Sequence, residues 1–125
     1  MKPQFIIGAA SSGSGKTTFT MGLLRALAHR GMRVQPYKCG PDYIDTQFHS
    51  LASKQVSVNL DTWLASEEHV RSLYHSYGKD ADVCTVEGVM GLYDGYSGMK
   101  GSSAAMAALL DIPVILLVNA RSTAY

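Results

Sequence analysis

Residues 5–20 read FIIGAASSGSGKTTFT, and this order limits the possible folds more than any other stretch of the chain. A short apolar run with no helical period is buried as a strand. Gly8, Gly13 and Gly15 then punctuate a serine-rich turn, and from Thr17 the spacing becomes helical. Phe19, Leu23 and Leu27 lie four apart, Leu24 widens the stripe, and Gly31 follows as a left-handed cap. A strand that turns directly into a helix needs a crossover to reach its next parallel neighbour, so the N-terminus already predicts an α/β fold.

The turn also has chemical content. Glycines allow successive backbone N–H groups to point inward with no Cβ in the way, and the helix start adds donors and a positive dipole end. In the pattern G-x-x-x-x-G-K-[ST], Gly13, Ser14, Gly15, Lys16, Thr17 and Thr18 would hold nucleotide phosphates, with Lys16 on the β- and γ-phosphates and the Thr17 hydroxyl on Mg²⁺. The chain departs from the pattern at Ala10, where glycine is usual. Alanine disfavours a positive φ, so the start of the loop must do without one.

The rest of the chain repeats the alternation. Met32 to Tyr37 reads as a second strand that ends at Lys38, Gly40-Pro41 as a turn and Thr46 to Ser53 as a short helix, whereas residues 55–65 are ambiguous. Ser66 caps a helix with Val70, Leu73, Tyr74 and Tyr77 on one face, ended by Gly78. A strand over residues 82–88, a glycine-rich loop, a helix from Ser102 to Leu110 and the strand PVILLVNA complete the series. The last strand is apolar on both faces, which predicts a central place in the sheet. With 125 residues the chain is one domain at most. The expected class is α/β: a P-loop NTPase-like, doubly wound, mostly parallel sheet, incomplete at its C-terminus because no covering helix follows PVILLVNA.

Composition excludes several functions. A net charge of +1 with no basic run gives no footprint for nucleic acid or an anionic membrane. No segment approaches the roughly 18 apolar residues of a membrane span, and the opening MKPQF has no signal-peptide layout. Cys39 and Cys84 form neither a metal motif nor a disulfide framework, so a cytoplasmic location is expected.

Two further motifs, KCGPDYIDTQF and EGVMGLYDG, begin at the carboxyl ends of the second and third confident strands. Ligands of open α/β sheets bind at that edge. Lys16, Lys38, Asp42, Asp45, Glu87 and Asp94 are therefore expected on one rim. Carboxylates beside a triphosphate argue for a divalent cation between them, and a second lysine for another anion.

SSGSGKTT, KCGPDYID and EGVMGLYDG together closely resemble the amino-terminal part of the cobyrinic acid a,c-diamide synthases, members of the dethiobiotin synthetase-like group of P-loop enzymes. The resemblance implies ATP- and glutamine-dependent amidation of two corrin-precursor carboxylates through an acyl phosphate, with ATP and Mg²⁺ as cofactors. On this reading residues 1–125 are the amino-terminal part of the ATP-binding amidoligase domain. Ammonia would come from a glutamine amidotransferase domain that the chain does not contain. The tetrapyrrole carboxylate is the expected partner, and a homodimer stays open.

Roles carried over by the resemblance place Thr17, Asp45 and Glu87 on the metal and Lys38 on the acyl phosphate, with Tyr43 and Asp94 on the substrate side. Asp45 alternatively orients the reacting carboxylate, and Asp94 shares in catalysis. Plainer readings stand beside these: Asp45 as a helix cap, Asp94-Gly95 as a turn, Lys38 as a solvated strand end. The four histidines show no ligand spacing, and Trp63 and the tyrosines read as core or rim packing. The alternatives are a nickel-sirohydrochlorin a,c-diamide synthase, a dethiobiotin synthetase-like ligase, an inactive fragment and a partitioning ATPase. The last carries an extra lysine where this chain has Ser11.

Overall fold

The computed structural model describes residues 2–121. Five strands form one parallel sheet: β1 (Gln4–Ala9), β2 (Val34–Cys39), β3 (Val58–Leu60), β4 (Val83–Glu87) and β5 (Val114–Leu117), in the spatial order β3-β2-β4-β1-β5. Four helices cross between them: α1 (Lys16–His29), α2 (Asp45–Ser53), α3 (Glu67–Gly78) and α4 (Ser103–Leu110). The α/β expectation holds, and the ambiguous stretch 55–65 contains the short edge strand β3.

Strand alternation divides the core into two layers. Ile6, Tyr37, Cys39, Cys84 and Val86 face α3 and α4, meeting Val70, Tyr74, Met106 and Leu110. Val34 and Val83 face the other way, toward Leu24 of α1 and Ala52 of α2. Further along β2 and β4, the same alternation carries Pro36, Lys38, Thr85 and Glu87 toward α1 and α2. Lys38 is registered directly opposite Glu87. The buried charged groups are therefore assembled on the α1/α2 face, and the larger apolar core lies behind it.

Three sequence expectations shift. The buried stripe of α1 is Thr20 and Leu24, while Phe19 is exposed, because the stripe turns toward β2 and β4 one residue later than the leucine spacing indicates. On α3, Val70 and Tyr74 are buried but Tyr77 is exposed. PVILLVNA is not central among the described residues: β5 pairs only with β1, and Val114 to Leu116 stay well exposed. No described helix is long and apolar enough to cross a membrane.

Candidate functional site

The loop after β1 turns on Gly13 and Gly15, with φ of 78° and 86°. Ala10 has no positive φ, so the missing glycine is accommodated by bending two glycines further along. Gly15 is the N-cap of α1 and supplies no side-chain acceptor, and no acidic residue occupies the first turn. By contrast, α3 and α4 are capped by Ser66 and Ser102, which accept from His69 N and Ala105 N. The N–H groups that open α1 are left for an external anion. Ser14 Oγ donates to Ser11 O at 3.0 Å and closes the loop on itself.

Thr17, in the first turn of α1, stands between two carboxylates: its Oγ1 is 3.4 Å from Asp45 Oδ2 and 3.3 Å from Glu87 Oε2. Lys38 Nζ donates to the same two oxygens, at 2.8 Å and 2.6 Å, and to Gly88 O at 3.1 Å. Asp42 Oδ2 lies 3.8 Å away. Lys38 is 3% exposed and so is not a solvated strand end. Burial alone would lower its pKa, but the Glu87 charge and the Asp45 hydrogen bond outweigh that and hold it above the ordinary value. Burial would likewise raise the Glu87 carboxyl, yet the His49 hydrogen bond and the Lys38 charge hold it well below the usual range. Lys16 takes the opposite direction. Burial and the neighbouring Lys38 ammonium lower its pKa, and its Nζ rests on Met90 O at 3.0 Å.

Glu87 is tied from behind as well. Its Oε1 accepts from His49 Nε2 at 2.9 Å, and His49 Nδ1 meets Ser57 Oγ at 3.2 Å. An ionised carboxylate only accepts, so Nε2 carries the proton and Nδ1 can accept from the serine. His49 is fully buried. Sequence reading missed it because histidines were compared only with one another. The usable signal was its position four residues after Asp45 on the α2 helix, which sets both side chains on one face.

The other expected residues are placed differently. Asp45 does not cap α2; Asp42 Oδ1 does the equivalent work by accepting from Ile44 N and Asp45 N, each at 2.9 Å. This frees the Asp45 carboxylate for Lys38 and Thr17. Asp94 is exposed and its Oδ2 accepts from Gly91 N at 3.0 Å, so it closes the β4–α4 loop and lies outside the ion cluster. Tyr43 projects into solvent at 69% exposure. Cys39 is buried beside the cluster, and burial raises its thiol to about 12, which removes it as a nucleophile.

The oxygens of Thr17, Asp45 and Glu87 form a hard-donor set of the type Mg²⁺ accepts, and the two carboxylates already hold a cation, the Lys38 ammonium. No group of three or more His, Cys, Asp or Glu suited to a metal occurs among the described residues. Three protein oxygens would leave the other positions of an octahedral ion to water and phosphate.

Solved structures with the same fold include the signal recognition particle receptor FtsY of Elizabethkingia anophelis in complex with GDP (TM-score 0.57, 17% identity, covering 93% of this chain and 40% of that one). FtsY of Mycoplasma mycoides is similar (TM-score 0.58, 14% identity, 98% and 44% covered). Sequence similarity is much stronger to the cobyrinate a,c-diamide synthase of Dehalococcoides mccartyi strain CBDB1, 52% identical over 119 residues, covering 94% of this chain and 26% of that protein. The hydrogenobyrinate a,c-diamide synthase of Streptomyces coelicolor is 49% identical over 122 residues, with 96% and 25% covered. The chain thus spans about a quarter of the length of these relatives. The profile of the CobQ/CobB/MinD/ParA nucleotide binding domain matches residues 5–123, which include the glycine loop and every member of the ion cluster. The chain belongs to this family of nucleotide-binding domains.

Proposed function

We propose that this chain is the ATP·Mg²⁺-binding part of an enzyme that amidates the a and c side-chain carboxylates of a cobyrinate-type tetrapyrrole. The observation that carries the reading is the meeting of Thr17, Lys38, Asp45 and Glu87 at the mouth of the glycine loop. A carboxylate resists ammonia because its charge repels the nucleophile and oxide is a poor leaving group. Transfer of the ATP γ-phosphoryl to a carboxylate oxygen releases ADP and gives an acyl phosphate. Ammonia then attacks the carbonyl carbon and inorganic phosphate leaves. Such a transfer depends on positioning and charge neutralisation.

In this scheme the uncapped start of α1 and Lys16 hold the β- and γ-phosphates. Thr17, Asp45 and Glu87 would hold Mg²⁺, which when bound neutralises charge on the transferring group. Lys38, released from the two carboxylates, is left to balance the acyl phosphate, and His49 keeps Glu87 oriented. Tyr43 and Asp94 are assigned to the outer, substrate side of the rim, where both are exposed. The names of the relatives support the choice of substrate, and one of them supports a competing acceptor, hydrogenobyrinate.

The test gives the complete protein cobyrinic or hydrogenobyrinic acid with ATP, Mg²⁺ and either glutamine or ammonia. Mass spectrometry should find two successive amidations, and Lys16→Ala should abolish them. Failure to form an ATP-dependent amide with either acid would overturn the substrate assignment.

A further inference from the structure

Beside the ion cluster lies a cavity of about 390 Å³ whose walls come from the two motifs that also build the rim. Gly40 and Pro41 of KCGPDYID form one wall, and Val89 and Met90 of EGVM another. Met90 O is also the resting acceptor of Lys16 Nζ, so one residue touches both the phosphate lysine and the cavity. Leu60 and Met106 make the floor apolar.

Two aromatic rings complete the lining. Trp63 and Tyr96 meet edge to face with centroids 4.8 Å apart, yet they are 65% and 46% exposed. Tyr96 is held by its own loop: its N donates to Lys100 O at 2.9 Å, and its ring lies against Gly101, where a Cβ would come within 2.3 Å. An exposed aromatic corner held in place by its own loops is the kind of apolar surface that a ligand or another part of a protein covers. Asp61 lines the same cavity; its Oδ1 accepts from Trp63 N, while its buried Oδ2 finds no donor among the described residues.

We infer that this cavity receives one apolar ring edge of the carboxylate acceptor, with Trp63 and Tyr96 against the ring. The inference rests on the amidation reading above for the identity of the acceptor. A small polar acid would leave the Leu60, Val89 and Met106 walls unused. A macrocycle with several carboxylates can insert an apolar edge here while one of its acid arms reaches Lys38 and the phosphate loop. Methionine at two points of the lining suits a ring system of irregular outline.

Binding of cobyrinic acid to the complete protein, measured by equilibrium dialysis without nucleotide, tests the site. Trp63→Ala and Tyr96→Ala should each weaken binding roughly tenfold or more, with ATP affinity and thermal midpoint unchanged and with affinity largely kept in Trp63→Phe. Wild-type affinity for cobyrinic acid in both alanine variants would overturn the inference, and would leave the amidation reading standing if amides still form. Binding that depends on both rings without any amide forming would support the site and overturn the reaction. Absence of binding of both cobyrinic and hydrogenobyrinic acid by the wild-type protein would overturn both.

Discussion

Lys38 is the residue on which the cluster turns, because it supplies the only positive charge in hydrogen-bond contact with Asp45 and Glu87 among the described residues. Removing one partner of a buried ionic group leaves the others uncompensated, at a cost of about 3 kcal/mol. Lys38→Met should lose about that much in urea unfolding at neutral pH, and the loss should shrink in acid as the carboxylates are protonated. A pH-independent loss would show that only packing had changed. Glu87 has a depressed pKa, so its contribution to stability is complete above its ordinary value of 4.5 and fades as pH falls through the folded value. Lys38 is raised above 10.5, so its contribution is complete below that value and fades as pH rises further. Glu87→Gln should therefore flatten the acid limb of the stability profile, and an acid limb as steep as that of the wild type would contradict the assignment. Cys39 makes a separate test. With its thiol raised to about 12 by burial, it should resist alkylation in the native protein at mildly alkaline pH and react on unfolding.

At the scale of elements, the site depends on how α2 begins. Asp42 holds the first N–H groups of the helix, which leaves Asp45 and His49 on the face that meets Lys38 and Glu87. Asp42→Ala should cost about 1 kcal/mol and weaken Mg²⁺-dependent nucleotide binding, whereas Asp42→Asn should retain both; calorimetry of ATP with and without Mg²⁺ separates the two effects. The junction of β4 with its loop is equally tight. An added Cβ at Gly88 would fall 2.4 Å from Ser103 Oγ and 2.9 Å from Ile7 O. Gly88→Ala should destabilise the fold by about 1–3 kcal/mol through overpacking, and Ser103→Ala in the same chain should recover part of that loss. Helix caps were readable from sequence where the side chain alone decides, as at Ser66 and Ser102. They were not readable at α2, where two aspartates three residues apart compete and only the turn at Gly40-Pro41 settles which one reaches the N–H groups.

For the whole molecule, the parallel α/β sheet was legible because strand and helix periods alternate along most of the chain. The place of β5 was not, since an apolar strand reads the same whether it lies at an edge or in the middle. The rim was legible as three strand ends, which bring Lys16, Thr17, Lys38, Asp45 and Glu87 together. His49 was not, because its role comes from a contact between α2 and β4 that no local pattern records. The Trp63–Tyr96 corner was equally hidden, for its rings come from loops 33 residues apart in the chain. These pieces serve the proposed reaction, in which the rim would press the terminal phosphoryl of a nucleotide against an organic carboxylate. Oxygen tracing measures this directly. The complete protein is given acceptor labelled with ¹⁸O in its carboxylates, together with ATP, Mg²⁺ and ammonia, and the phosphate released is weighed by mass spectrometry. The account predicts one ¹⁸O in the phosphate for each amide formed; amide accompanied only by unlabelled phosphate would contradict it.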